Sequence, residues 1–415
     1  MKNKELNEGV SKSRPREVIL KKMRDSYVED ILPFKSDPQV REEYINAYGN
    51  IRIGKILEDL DAMAGTISYI HCDDGLEETA PVTVVTASLD RIDLLQRIPT
   101  EQDIKLSGHV TYVGTSSMEV SIAIRTIPED SDNEAEGDPI LVAKFTMVAR
   151  DAETGKSAKV NQLKLETDEE RRLFRLGAEQ RARKQVANQT SLSKQPPSIE
   201  EMFLIHELYL EYSTYLDPEY NTPKPNDVIW MKDTIQESLV MCMPQDRNIH
   251  NKIFGGYLLR LAFELAYSTG LIYSQDHCRF VSLDDIAFKK PVSIGDLLNL
   301  KAQVVYVGKA PSRYFQVKVI ADVIDPLVGT RATTNVFYFT FVAASASKAG
   351  LKRVMPQTYD ESMHFIEGRR RDQLWLAMAT HNTSVLGPNH QLFSGSGDSI
   401  KGGDPSTNNT NNFGI

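Results

Sequence analysis

The chain has 415 residues, 41% of them apolar, and a formal net charge of −9. That length suits two or three domains with real cores, the acidic balance leaves no electrostatic footprint for nucleic acid, and no run of about 18 apolar residues is present to span a bilayer. The three cysteines, Cys72, Cys242 and Cys278, are odd in number and lack CxxC spacing, so neither a disulfide framework nor a metal site is expected.

The N-terminal extension, 1–22, is basic (Lys2, Lys4, Lys12, Arg14, Arg16, Lys21, Lys22) but interrupted by Glu5, Glu8 and Glu17. Transit peptides avoid acids, and a secretory signal needs an apolar stretch that is missing here. Beyond it, Ile56, Leu57, Leu60, Met63, Ala64 and Ile67 recur at helical spacing and predict a largely buried helix of about five turns. Strand signals follow. VTVVTASLDRIDLL (82–95) is β-branched, and Asp103–Ile127 reads as two strands turning near GTSS (114–117). PILVAKFTMVAR (139–150) is a further strand, DAETGKS (151–157) a turn and VNQLKLE (160–166) a short continuation.

Between 165 and 225 the character changes. TDEE (167–170) and SIEE (198–201) are capping boxes, separated by QPPS, and the second opens a helix with Met202, Ile205, Leu208 and Tyr209 on one face. This predicts an ordered helical connector. A second buried helix is expected over 253–272, with Phe254, Leu258, Leu261, Ala262 and Leu265 inside. Strands are expected at 279–289, 297–307, 312–324 and 331–344. The Gly/Ser/Asn/Thr-rich stretch 395–415 carries no packing pattern and is expected to be disordered, so the tail from 371 reads as largely disordered.

The two halves repeat. VTASLD (85–90), HVTYVG (109–114) and KFTMVAR (144–150) return as FVSLDD (280–285), QVVYVG (303–308) and YFTFVAA (338–344). The pairs Asp90/Asp284, Gly114/Gly308 and Thr146/Thr340 share one separation of 194. Upstream, GKILEDLDAMAG (54–65) matches GYLLRLAFELAYSTG (256–270), and MRDSYVE (23–29) echoes MKDTIQE (231–237). Units this long are a duplicated domain, not a solenoid. A long apolar helix followed by antiparallel strands, twice over, predicts an α+β fold in which each sheet wraps its helix. The domains are then 23–164 and 226–370, with 165–225 between them and the tail 371–415 after them.

No GxSxG, GxxxxGK[ST] or HExxH motif is present. The remaining chemistry gathers at the starts of the two long helices. The second is approached through Arg247-Asn248-Ile249-His250-Asn251-Lys252-Ile253-Phe254-Gly255-Gly256. Free N–H groups and a positive dipole end suit such a start to an oxyanion or a polarised carbonyl. The bland alternative is that Asn248 or Asn251 is an N-cap and Gly255-Gly256 a packing contact. In the first helix Asp61 sits among Leu60, Ala62, Met63 and Ala64. It is either a working carboxylate or a boundary residue bonded to a neighbouring strand. Glu58 and Asp59 read as ordinary exposed residues. His71-Cys72 reads as structural, because no third member of a nucleophile–base set is identifiable. Lys289-Lys290 reads as a solvated strand end.

Asn251-Lys252-Ile253-Phe254-Gly255-Gly256-Tyr257-Leu258-Leu259 resembles the start of the central helix in hot-dog acyl-coenzyme A thioesterases, and 54–65 looks like its companion. The two-unit layout resembles the eukaryotic double-hot-dog enzymes, most closely the mitochondrial acyl-coenzyme A thioesterase 9 type, over roughly 23–370. The resemblance implies two tandem hot-dog domains joined edge to edge as a pseudo-dimer. Fatty acyl-CoA would be hydrolysed to free acid and CoA at their interface, with no cofactor, in a homo-oligomer of such protomers. It implies a mitochondrial setting, with a cytoplasmic one as the alternative because few residues precede the resemblance.

Carried over residue by residue, Asp61 takes the acid position; the amide position of the second unit, four before the glycine, is Lys252, with Asn251 and Asn248 close by as the amide candidates and Gly255, Gly256 and His250 as substrate-binding ones. The acid position of the second helix is Phe263, with Glu264 about 100° round the helix. The amide position of the first unit is Asn50. One competent and one degenerate site follow. Rival readings are a hot-dog hydratase or dehydratase using His250, and a non-catalytic acyl-CoA-binding protein.

Overall fold

The computed structural model describes residues 17–76, 79, 81–127, 139–217, 219, 222–248, 252–309, 313–344 and 350–385. The first half opens with strands β1 (Leu20–Lys21) and β2 (Val28–Leu32) and a short helix, α1 (Pro38–Tyr44). Helix α2 (Ile53–Cys72) then runs through the middle of the half. Its periodic residues Ile56, Leu57, Leu60, Ala64 and Ile67 are all 0% exposed, as a helix covered on several sides requires. The cover comes from β3 (Val82–Leu89), β5 (Ile104–Val113), β6 (Ser117–Thr126) and β7 (Leu141–Asp151), with β4 (Ile92–Leu94) joining them. Alternation along β7 buries Leu141, Ala143, Phe145, Met147 and Ala149 against the helix layer and leaves the residues between them half-exposed.

Strand β8 (Gln162–Leu163) is not a continuation of β7: it pairs in parallel with β1. Helices α3 (Asp168–Gln189) and α4 (Ile199–Leu216) follow. Both open on the expected capping boxes, Thr167 with Glu170 and Ser198 with Glu201.

The second half repeats the first. It contains β9 (Val228–Trp230), β10 (Gln236–Met241), helix α5 (Gly255–Ser274), β11 (Cys278–Leu283), β12 (Ile286–Ala287), β13 (Leu297–Val307), β14 (Tyr314–Ile324), β15 (Arg331–Ala343) and β16 (Arg353–Met355). Ten of the strands run β10-β13-β14-β15-β11-β4-β7-β6-β5-β2 through one 12-stranded sheet, and β3 pairs β12 and β7 beside that path. The halves join where Ser282 and Leu283 pair with Asp93 and Ile92, and where Ile286 and Ala287 pair with Leu89 and Ser88. Even the bulges recur. The register slips between Val110 and Tyr112 and again between Val304 and Tyr306, and between Thr86 and Ser88 and again between Phe280 and Ser282.

The repetition continues past residue 164. Helix α6 (Tyr359–Val385) meets the second half as α3 meets the first. A methyl group on Gly177 would lie 2.6 Å from Tyr112 Cβ, and one on Gly368 would lie 2.5 Å from Tyr306 Cβ. Tyr112 packs at a tilt against Phe174 (4.9 Å) as Tyr306 does against Phe365 (5.3 Å). The parallel pair β16–β9 likewise matches β8–β1.

From Arg370 the chain belongs to a separate unit, and α6 stays helical to Val385, further than the tail reading from 371 expected. The expected disorder of 395–415 falls outside the described residues. No helix among the described residues is long and apolar enough to cross a membrane.

Candidate active site

Helices α2 and α5 lie antiparallel in close contact because glycines remove the side chains that would hold them apart. A methyl group on Gly256 would come within 3.0 Å of both Cα and O of Glu58. One on Gly54 would come within 3.2 Å of Arg260 Cγ and 3.4 Å of its carbonyl oxygen. Glu58 and Arg260 are related by the same 202-residue separation as Gly54 and Gly256, so this is one contact made twice. The close approach brings the start of α5 onto the middle of α2.

Asp61 occupies that junction and is 2% exposed. Gly256 donates its backbone N–H to Asp61 Oδ2 at 2.6 Å, across the two halves. Thr86, on β3, donates its hydroxyl to Oδ1 at 2.8 Å. Burial pushes the Asp61 carboxyl up to about 6. The bonds from Thr86 and Gly256 hold it down, and the Glu58 charge adds to the rise. At neutral pH this leaves a mostly ionised but basic carboxylate, oriented by two donors and seated at a positive helix end. Gly255 begins α5, where N–H groups have no intrahelical acceptor. It opens directly on the carboxylate: a methyl group there would lie 3.1 Å from Asp61 Oδ2 and 3.3 Å from the half-buried Phe288 ring.

The other sequence candidates fall into three groups. Gly255 and Gly256 adjoin Asp61, but the Gly256 N–H is committed to the carboxylate and not held in reserve for an oxyanion. Asn248 lies in the turn before α5, where its Oδ1 accepts the Lys252 N–H at 3.1 Å. Asn46 does the same for the Asn50 N–H, also at 3.1 Å. His250 and Asn251 lie outside the described residues. In the opposite pairing, Asn50 Oδ1 accepts from Arg97 Nη2 at 2.5 Å. Glu264 binds Arg52 Nη2 at 2.6 Å, an ion pair between the halves. His71 and Cys72 are buried, with His71 Nε2 2.8 Å from the Asn161 carbonyl oxygen. Lys289 and Lys290 are exposed.

Two readings of the sequence need correction. Glu58 and Asp59 are half-buried, not exposed. Glu58 pairs with Arg260 Nε at 3.0 Å, and Asp59 accepts the Tyr44 hydroxyl at 2.7 Å while burial pushes it up to about 6. Thr86 was missed altogether. The available signal was its position in the repeat: its counterpart is Phe280, as the counterpart of Asp61 is Phe263. Carboxylate and hydroxyl are replaced together.

No protein-family model matches the chain. Curated relatives do. Acyl-coenzyme A thioesterase 9, mitochondrial, of Homo sapiens is 41% identical over 373 residues, covering 89% of this chain and 79% of its own. Acyl-coenzyme A thioesterase 2, chloroplastic, of Humulus lupulus is 36% identical, covering 85% and 81%. Among solved structures, a putative oleoyl thioesterase from Lactobacillus plantarum overlaps 77% of this chain and 96% of its own at 10% identity, with a TM-score of 0.42. The chain belongs to the acyl-coenzyme A thioesterases, within the family that includes the mitochondrial acyl-coenzyme A thioesterase 9 enzymes.

Proposed function

We infer that this chain is a thioester hydrolase that cleaves fatty acyl-CoA to free fatty acid and coenzyme A, at one composite site where Asp61 meets the start of α5. The observation that carries the site is the Gly256 N–H bond to Asp61, which joins a buried carboxylate of one half to the helix start of the other. The acyl carbonyl points at the first turn of α5, where the Gly255 N–H, the helix dipole and the amide of Asn251 or Asn248 stabilise the oxyanion. Asp61, oriented by Thr86, takes a proton from water as the water oxygen bonds to the acyl carbon. The C–S bond then breaks and the proton passes to the CoA sulfur. Direct attack by Asp61, giving an anhydride that water opens, is the alternative route. Single turnover in ¹⁸O-labelled water identifies the anhydride route where water opens it at the Asp61 carbonyl, because label then enters Asp61, whereas the general-base route puts it in the fatty acid alone. No cofactor is needed in this reading, since acyl-CoA and water are the only reactants and fatty acid and CoA the only products.

In this reading the domains are 23–164 and 226–370, arranged as tandem hot dogs in a pseudo-dimer, and α3 of the connector matches α6. Phe263 and Glu264 leave the opposite pairing with Asn50 without a base. A mitochondrial setting is proposed from the relatives' names. A homo-oligomer is proposed because α4 exposes Ile199, Met202, Phe203, Tyr209, Leu210 and Leu216, a stripe that a second copy would cover. Light scattering on the purified chain tests the assembly. Free-thiol release from acyl-CoAs of graded chain length tests the activity, and binding without turnover would remove it.

A further inference from the structure

A residue that touches its own counterpart in a duplicated fold lies on the axis relating the two copies. Glu58 and Arg260 are such a pair, with Arg260 Nε 3.0 Å from Glu58 Oε2. Identical copies would set like charges against each other here; this chain sets opposite ones. Glu58 lies three residues before Asp61 on α2, and Arg260 lies four residues after Gly256 on α5. Both therefore sit one helical turn from the bond between Asp61 and Gly256. Both side chains are half-buried, 25% and 24% exposed, so solvent screens the pair only in part. The Arg260 guanidinium also lies over the Tyr257 ring at 5.3 Å, which fixes it to the first turn of α5.

We propose that Glu58 and Arg260 are positioning residues for hydrolysis: the pair latches the start of α5 onto Asp61, and Arg260 cancels the one carboxylate that acts on Asp61 from its own helix. The inference rests on the reading of Asp61 as the base. The groups acting on Asp61 are Glu58 on α2, the Thr86 hydroxyl on β3 and the Gly256 N–H on α5. Those acting on Glu58 are Arg260 and Glu264 on α5, Lys55 on α2 and Asp246 before α5. An unpaired Glu58 makes Asp61 harder to ionise. An unpaired Arg260 makes it easier.

The test is the pH dependence of kcat for the full-length Glu58→Gln, Arg260→Gln and double variants, with Arg260→Lys as the conservative control. Arg260→Gln is expected to move the acid limb up, and Glu58→Gln to move it down, each by about half a pH unit. The double variant is expected to return the midpoint to the wild-type value. Both single variants should lose about tenfold in kcat with little change in KM, because the helix start is displaced. Arg260→Lys should recover most of that loss. If Arg260→Gln does not fold, the downward shift in Glu58→Gln decides alone. Shifts in the same direction, or no shift while Tm falls, would reduce the pair to a structural brace. An active Asp61→Asn enzyme would instead remove the base reading on which the proposal stands.

Discussion

Asp61 and Phe263 hold equivalent places in the two halves and face equivalent helix starts, but only one of them offers a proton acceptor. Asp61 Oδ2 receives the Gly256 N–H, whereas the Phe263 ring packs towards Gly54, whose added methyl would lie 3.4 Å from Phe263 Cδ1. The Thr86 hydroxyl beside Asp61 is matched by the Phe280 ring, 5.3 Å from Phe263 and nearly perpendicular to it. Phe339 and Phe341 complete the cluster at 5.6 and 6.0 Å. The space that holds a carboxylate and a hydroxyl in one pairing is filled by apolar core in the other.

Unequal sites follow. Asn251→Ala should lower kcat by on the order of 10², the usual effect of losing an oxyanion donor. Asn50→Ala, which releases Arg97 and the Tyr48 carbonyl, should leave kcat within about threefold. Steady-state kinetics on the two variants at matched Tm checks this. A larger loss from Asn50→Ala would mean that the opposite pairing is the working one.

Phe263 should matter for stability and little for turnover. It is 6% exposed, and removing a buried ring of this kind typically costs about 3 kcal/mol or more. Phe263→Ala is expected to lower the denaturation midpoint strongly while the folded fraction keeps its kcat. A large fall in kcat per folded molecule would give Phe263 a direct part in the reaction.

Much of this contrast is written in the sequence, because it depends on the repeat. The separation of 194 aligns strands and bulges alike, and the glycines of the two helices set Asp61 against Phe263 without coordinates. Thr86 was legible only as a difference between the halves, Thr86 against Phe280. In VTVVTASL it reads as an ordinary strand former, and only the bulge before Ser88 and the packing of β3 on α2 turn its hydroxyl to the carboxylate. The partners of Glu58 and Asp59 were hidden for a related reason: Arg260 is 202 residues away, and Tyr44 reaches Asp59 from another helix. The match between α3 and α6 escaped because its contacts rest on a few residues, such as Phe174 and Gly177 against Phe365 and Gly368, in otherwise dissimilar helices.

The pH dependence has a defined sign. Asp61 titrates at about 6 in the folded chain, above the roughly 3.9 of an unfolded aspartate. Between those values the native state holds a proton that the unfolded state has shed, so this group weakens the fold as pH rises from about 4 through 6. The acid limb of kcat should have its midpoint near 6. Thr86→Val removes a bond that favours the carboxylate and should move that limb up, whereas Thr86→Ser should leave it in place. A pH–rate series on the three proteins checks both, and an unmoved limb in Thr86→Val would separate Thr86 from the base.

Glycine at 256 is required by the closeness of α2. Gly256→Ala would press a methyl onto the Glu58 backbone, within 3.0 Å of two atoms, and α5 would have to withdraw. Displacements near 1 Å at a reacting centre cost about 10² in rate. The variant is expected to fold, with kcat reduced by about that factor. Wild-type kcat in Gly256→Ala would show that the helix start need not touch Asp61.

The most direct measurement is acyl-CoA hydrolysis by Asp61→Asn, with its thermal stability followed from pH 5 to pH 8. Asparagine keeps the size and an acceptor for the Gly256 N–H, and the Thr86 hydroxyl can turn to accept from the new amide. The expected result is a folded enzyme with kcat down by about 10² or more, and with a Tm above that of the parent chain at pH 8, a difference that shrinks towards pH 5. Near-parental turnover by a folded Asp61→Asn protein would contradict the assignment of Asp61 as the group that drives hydrolysis.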